Sequence, residues 1–330
     1  MGETPYRKVC IVGAGAIGSW IGTRLGRAGC AVSVLARSAT LQALQQHGLR
    51  CREDGQDHAV AVAASADAAA LGAQDLVVIA VKAPALAAVA SAIAPLLAPH
   101  TVVLTAMNGV PWWFFHGFGG AYEGTALSAI DPQGEIAAAI PAAQVLGCVV
   151  HASCALLGPG HAQHHFGQRL IIGESSGQAT ARAQQLQALL ARAGFEAELS
   201  AQIQKDIWYK LWGNMTVNPV SALTGATTDL ILGDELVRDF ISRVMLEARE
   251  IGARIGIPIA QQPEDRHAVT LKLGAFKTSM LQDVEAGRPV ELDALVTVVR
   301  ELGARTGVPT PYTDVLLGLA RLQARVRGLY

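Results

Sequence analysis

Short, fully apolar runs alternate with Ala-rich stretches from Lys8 to about Met107, and the pattern predicts strands over residues 9–12, 31–35, 76–81 and 101–106. The stretches between them, 16–28, 41–47 and 84–97, carry the composition of helices. Brief β runs joined by helical crossovers indicate a parallel sheet. Residues 49–52 and 59–62, flanking Asp54-Gly55, predict an inserted hairpin. The segment 111–122 (PWWFFHGFGGAY) breaks the alternation and is expected to be a loop that packs down on something. Further strands are expected at 145–153, 161–166 and 169–172, with a helix over 182–193. Beyond about Ser200 the pattern is helical, over 203–215, 236–252, 268–285 and 291–306, and the Gly-Pro pairs near 256–258, 287–289 and 307–309 act as stop signals. The expected fold is therefore α/β: an N-terminal Rossmann-type parallel sheet domain, residues 1–199, followed by an all-helical C-terminal domain, residues 200–330.

Composition narrows the function classes. Hydrophobic residues make up 51% and charged residues 16%, which fits a packed globule and excludes a disordered chain. The net charge of −1 gives no general attraction to nucleic acid or to anionic lipid. The most apolar tract, 76–99, is interrupted by Lys82, Pro84 and Pro95, so no membrane span is expected. Five cysteines without paired metal-ligand spacing fit a reducing compartment, and with no signal peptide evident the cytoplasm is the expected location.

The chemistry is concentrated in a few positions. The first strand runs into Gly13-Ala14-Gly15-Ala16-Ile17-Gly18, which opens a helix. In that setting the first glycine makes the turn, the second lets backbone approach a pyrophosphate, and the third lets helix pack on strand. A Gly-rich turn without nucleotide is the bland alternative. Where an acidic residue would bind the ribose hydroxyls of NAD, the second strand instead ends Leu35-Ala36-Arg37-Ser38. Arg37 suits a 2′-phosphate, favouring NADPH/NADP+ over NADH, unless it is only a solvated arginine. Lys82 and Asn108 follow two further strands, where ligands of open α/β sheets lie, although either residue could be a plain cap.

Lys210, Asn214 and Asn218 recur every fourth residue and stack along one side of a helix, at the rim of the face formed by Ile203, Ile207, Leu211 and Met215. Polar groups so placed need partners, supplied either by a ligand or by an internal hydrogen-bond network. Ser279 and Glu291 lie in or at the start of later helices. A metal site built on His161, His164 and His165 is a further reading, weakened by the lack of an adjacent carboxylate or thiolate in sequence.

In order and spacing these motifs resemble the ketopantoate reductase family over nearly the whole chain. The signature runs from the Gly13–Gly18 turn and Arg37 through Lys82 in AVKAP and Asn108 in MNG. It continues in Trp208-Tyr209-Lys210-Leu211 with Asn214 and Asn218-Pro219, and ends in Ser279-Met280-Leu281-Gln282-Asp283 with Glu291. The resemblance implies NADPH-dependent reduction of 2-dehydropantoate (ketopantoate) to pantoate. Lys210 would be the general acid and Asn108 would touch nicotinamide and substrate. Asn214, Asn218 and Ser279 would hold the substrate, and Lys82, Glu291 and Ser153 would lie on the cofactor side. It also implies a small 2-oxo acid as the partner molecule; a homodimer stays open as the assembly. Two departures bear on the substrate: the aromatic segment 111–122, and Thr228 where the family often has an Asn. The rival expectations are reduction of another 2-oxo acid, with the aromatic segment beside the substrate or at a subunit contact, and a non-catalytic NADPH-binding regulator.

Overall fold

The computed structural model describes residues 5–330, and these divide into two compact units. The first comprises residues 5–107, 112–126 and 134–203; the second comprises 108–111, 127–133 and 204–330. Two short segments expected in the first domain, Asn108–Pro111 and Leu127–Gln133, thus cluster with the second.

In chain order the first unit is β1 (Lys8–Val12), α1 (Ala16–Arg27), β2 (Ala31–Leu35), α2 (Ser38–His47), β3 (Leu49–Glu53), β4 (Gln56–Val60) and β5 (Ala63–Ser65). There follow β6 (Leu76–Ile79), α3 (Leu86–Ala90), β7 (Val102–Thr105), α4 (Glu135–Ala139), β8 (Val145–Gly158), β9 (His161–Glu174), α5 (Ala181–Arg192) and β10 (Glu196–Leu199). All ten strands form one sheet, ordered β4-β3-β9-β8-β7-β6-β1-β2-β5 with β10 on β9. From β5 to β8 every pairing is parallel, and the order reverses at β1, as in dinucleotide-binding sheets. The central strands β1, β6 and β7 are largely apolar because both faces are covered: Val9, Ile11, Val78 and Leu104 are buried on one face and Cys10, Val12, Val77, Ile79 and Val103 on the other.

α1 is tied down by a buried ion pair. Glu53 is 6% exposed and accepts from Trp20 Nε1 at 2.9 Å and Arg24 Nε at 2.8 Å. The Arg24 guanidinium lies 5.1 Å from the Trp20 ring and 4.9 Å from the Phe195 ring. A charge desolvated in this way is tolerable only because it is paired and hydrogen-bonded.

Several boundaries differ from expectation. The helix expected over 84–97 is a five-residue α3 between two 3₁₀ turns, Ala83–Ala85 and Ala94–Leu96, each with a proline at its start. The runs 161–166 and 169–172 form a single strand, because Gly167 (φ +76°) bends within β9 without ending it. The aromatic segment is an internal plug. Trp112, Trp113, Phe114 and Phe115 are buried, Phe115 packs on Phe118 and Tyr122, and a Cβ on Gly147 would strike Trp113 at 2.5 Å. Those four rings leave no apolar surface to offer a partner subunit.

The second unit is α6 (Ile203–Thr224, its first residue in the first unit), α7 (Thr228–Gly233), α8 (Glu235–Arg254), α9 (Pro263–Leu271), α10 (Ser279–Glu285), α11 (Val298–Thr306) and α12 (Pro311–Val326). α6 runs on through Pro219. Buried Val217, Val220 and Ala222 hold the helix past the residue that removes one of its hydrogen bonds. α8 approaches α6 closely at Gly252, where a Cβ would stand 2.5 Å from Trp208 Nε1, and Trp212 Nε1 donates to Met245 O at 2.7 Å. The expected helix 268–285 is two, α9 and α10, separated by a turn through Gly274 (φ +62°). Just ahead of α11, residues Asp293–Thr297 form a π turn, with Val298 N–H donating to Asp293 O.

Candidate active site

The candidate nucleotide site lies at the carboxyl ends of the parallel strands. Val12 lies opposite Leu35 in β2 and Ile79 in β6, so Gly13, Ala36-Arg37 and Ala80–Lys82 emerge together beyond the strand ends. The three glycines fill distinct roles. Gly13 has φ +100°, and a Cβ on it would stand 2.8 Å from Val81 N. A Cβ on Gly18 would stand 2.0 Å from Gly13 O, so α1 can meet β1 only without one. Gly15 has nothing within 4 Å of its Cβ position. It is also the N-cap of α1, with no side-chain cap and no acidic residue in the first turn. Open space over exposed N–H donors suits a phosphate. Ala14, Ala16 and Ile17 complete the turn, each partly exposed.

Arg37 is exposed, and its guanidinium has no partner among the described residues. Sequence reasoning passed over its neighbour, Ser38. This residue adopts φ +51° and opens α2, so that a hydroxyl and a helix N-terminus accompany Arg37. Non-glycine residues with positive φ are uncommon and mark turns held for a reason; the signal in the sequence was only the Arg-Ser pair after β2. Lys82 is half-buried at the start of a 3₁₀ turn. Ser153 sits at a break in register on the part of β8 that runs past β7, opposite Phe166, beyond the same carboxyl ends of the strands from which the glycine turn emerges.

The other candidates belong to the second unit. Lys210 Nζ donates to Asn108 Oδ1 at 2.8 Å, joining residues far apart in the chain. Asn214 is half-buried and Asn218 is 7% exposed, yet neither side-chain amide has a hydrogen-bond partner among the described residues. Both amides are open to a partner from outside the protein, on the side of α6 that carries Lys210. Ser279 is exposed at the first position of α10; Thr278 Oγ1 caps that helix by accepting from Leu281 N–H at 3.2 Å, which leaves the Ser279 hydroxyl uncommitted. Glu291 is 9% exposed and lies two residues before the π turn.

The Thr228 hydroxyl is committed within the protein. The residue is 1% exposed, and its Oγ1 donates to Gly274 O at 2.7 Å and accepts from Phe276 N–H at 3.3 Å. Its hydroxyl braces the turn that leads to α10. A second residue missed from the sequence is Arg266, which packs on bare Gly213 with its guanidinium 5.7 Å from the Tyr209 ring. Burial pushes its pKa below the usual arginine value.

Other chemistries find little support. All five cysteines are free, and burial pushes the Cys10 thiol up to about 11 and the Cys51 thiol up to about 12. Such thiols stay protonated and poorly nucleophilic. His161 Nε2 lies 3.2 Å from Asp57 Oδ1, while His164 donates to Gly167 O and stacks on Trp20. Among the described residues no helix is long and apolar enough to cross a membrane.

A family model described as ketopantoate reductase PanE/ApbA matches residues 9–177, and one described as the C-terminal part of the same family matches residues 202–324. The chain belongs to the ketopantoate reductase family. Within that family, a 2-dehydropantoate 2-reductase from Mesorhizobium japonicum is 45% identical over 324 residues, covering 98% of this chain and 99% of that one. A solved structure from Ralstonia solanacearum MolK2, provisionally named a ketopantoate reductase, is 60% identical with a TM-score of 0.95, covering 98% of this chain and 100% of that chain. D-Mandelate dehydrogenase, solved with NADH and anilino(oxo)acetate, shares the fold at a TM-score of 0.84 and 21% identity, covering 98% of this chain and 100% of that one.

Proposed function

We propose that this protein is an oxidoreductase that reduces 2-dehydropantoate to pantoate with NADPH, Lys210 acting as general acid. The observation that carries this reading is the Lys210–Asn108 hydrogen bond of 2.8 Å, beside two Asn amides that no described residue satisfies. NADPH, when bound, supplies a hydride to the carbonyl carbon of the 2-oxo acid. Lys210 then stabilises the developing alkoxide and gives it the proton, which completes the hydroxyl. The amide of Asn108 fixes the direction of the Lys210 ammonium. Asn214, Asn218 and Ser279 hold the carboxylate and hydroxyl of the substrate, while Lys82, Glu291 and Ser153 serve the cofactor side. A regulator without catalysis would have no use for a proton donor aimed by an amide. Reduction of a different 2-oxo acid loses its support with the burial of the aromatic segment and the commitment of Thr228. The test is NADPH oxidation with 2-dehydropantoate against a panel of other 2-oxo acids. A larger kcat/KM for any other acid rejects the substrate assignment.

The residues of the glycine turn with Arg37 and Ser38 fit the phosphates of NADPH. Arg37→Ala is expected to raise the Kd of NADPH about 10–100-fold, the worth of a charge-assisted hydrogen bond, with little change for NADH. Equal losses for the two cofactors in a binding titration would remove Arg37 from the 2′-phosphate.

A homodimer is supported by α12, where Val315, Leu319, Leu322 and Val326 form an exposed stripe at helical spacing, Leu322 being 62% exposed. Leu319→Glu together with Leu322→Glu is expected to convert a dimer to monomers in light scattering. An unchanged mass would place the subunit contact elsewhere. The five free cysteines, four of them buried, agree with the cytoplasm as the working location.

A further inference from the structure

The hydrogen bond between Lys210 and Asn108 is only as good as the placement of Asn108, and that residue sits on a four-residue segment, Asn108–Pro111, inserted into the helical unit. An α-helix commits each carbonyl to the N–H four residues on. In the π turn Asp293–Thr297, Val298 N–H reaches back five residues to Asp293 O. The next carbonyl, Ala294 O, accepts from outside the helix: Val110 N–H donates to it at 3.0 Å. Gly109, between Asn108 and Val110, takes φ +83°, and a Cβ on it would stand 2.4 Å from Ala294 O and 2.7 Å from Ala294 Cβ. The π turn therefore supplies both a hydrogen-bond acceptor and a close-fitting surface for the segment that carries Asn108.

The turn is itself fixed from two sides. Asp293 Oδ1 accepts from Thr297 Oγ1 at 2.8 Å and from the hydroxyl of Tyr330, the last residue, at 2.7 Å. Val290 N–H donates to Leu329 O at 3.1 Å, so the end of the chain clasps both flanks of the segment 290–293.

We infer that the Asp293–Thr297 π turn is a positioning device for catalysis: through Ala294 O and Gly109 it sets the Asn108 amide that aims the Lys210 ammonium, and Tyr330 secures it through Asp293. The inference rests on the reading of Lys210 as the proton donor. π turns are single-residue irregularities frequently found at functional sites, and here the irregularity has a named product, a carbonyl turned to a partner outside the helix.

Two variants test it, Gly109→Ala, which forces the segment away from Ala294, and Tyr330→Phe, which removes one tether of Asp293 at a distance. Gly109→Ala is expected to lower kcat about tenfold or more, the range lost when a proton donor is misaimed. The solvent deuterium isotope effect on kcat should rise as proton transfer becomes limiting. The Kd of NADPH, read by fluorescence, should stay within about threefold, in keeping with binding energy carried mainly by the glycine turn. Tyr330→Phe should shift kcat and the isotope effect in the same direction by a smaller factor. A purely structural role predicts a lower Tm or a smaller active fraction with the isotope effect unchanged, and that result would overturn the inference. If the unmodified enzyme turns over no 2-oxo acid, the proposed function fails separately. Hydrogen exchange at the Val110 amide then decides: slow exchange that Gly109→Ala accelerates upholds the clamp, and fast exchange in both rejects it.

Discussion

Lys210→Ala is expected to cut kcat about 10²–10⁴-fold, the usual worth of a positioned general acid. The alkoxide left by hydride arrival is a strong base that water protonates only with reorganisation, whereas an ammonium held by Asn108 is already aimed. NADPH should still bind, because the glycine turn and Arg37 belong to the other unit. Asn214→Ala should act chiefly through KM, since an amide has no proton to give at neutral pH. The two variants thus separate in steady-state kinetics. A Lys210→Ala enzyme with near-normal kcat, or one whose defect is wholly a lower Tm, would end the general-acid assignment.

The second large effect is expected at Gly15. The Cβ of a valine there has open space, with nothing beyond its chain neighbours within 4 Å, and the backbone, at φ −73°, suits any L-residue. It would instead fill the space assigned to the pyrophosphate. Gly15→Val should therefore leave Tm within a degree or two while weakening NADPH about 100-fold or more, the consequence of losing the helix N-terminal phosphate contacts. The neighbouring change Gly18→Ala behaves differently: its Cβ would drive into Gly13 O at 2.0 Å and should lower Tm as well. Thermal melts paired with fluorescence titration check both. Gly15→Val with normal NADPH affinity would move the cofactor elsewhere.

The parallel sheet was readable because its strands are covered on both faces, so Val9–Val12 and Leu76–Ile79 read as unbroken apolar runs. The glycine turn was readable because Gly13 and Gly18 each answer a separate steric demand, while Gly15 leaves open space at the start of α1. Other features were hidden for physical reasons. Ala-rich composition argued for one helix over 84–97, but Pro84 and Pro95 reset the chain into 3₁₀ turns. α12 went unpredicted although Pro311 stands at its first position, a favoured start that the preceding Gly-Val-Pro stop signal masked. The aromatic segment was legible as something that packs; where it packs depended on Gly147, distant in sequence. The stripe Lys210, Asn214, Asn218 follows from helical periodicity alone. Its link to Asn108 does not, since no local pattern reports a contact between positions so distant in the chain. The π turn is less visible still, as one extra residue per turn lies below what apolar periodicity resolves.

The chain changes unit at 107/108, 111/112, 126/127, 133/134 and 203/204. In the second of these excursions Glu301 accepts from Ser128 N–H at 3.0 Å and from Ala129 N–H at 2.8 Å; in the first, Ala294 accepts from Val110 N–H. A fragment ended at residue 199 would carry these donors without their acceptors, and the helical remainder would lose Asn108. A cut at residue 199 therefore does not follow the boundary between the two units. The two activities are stitched into one polypeptide, and any recombination that keeps both must keep the crossings.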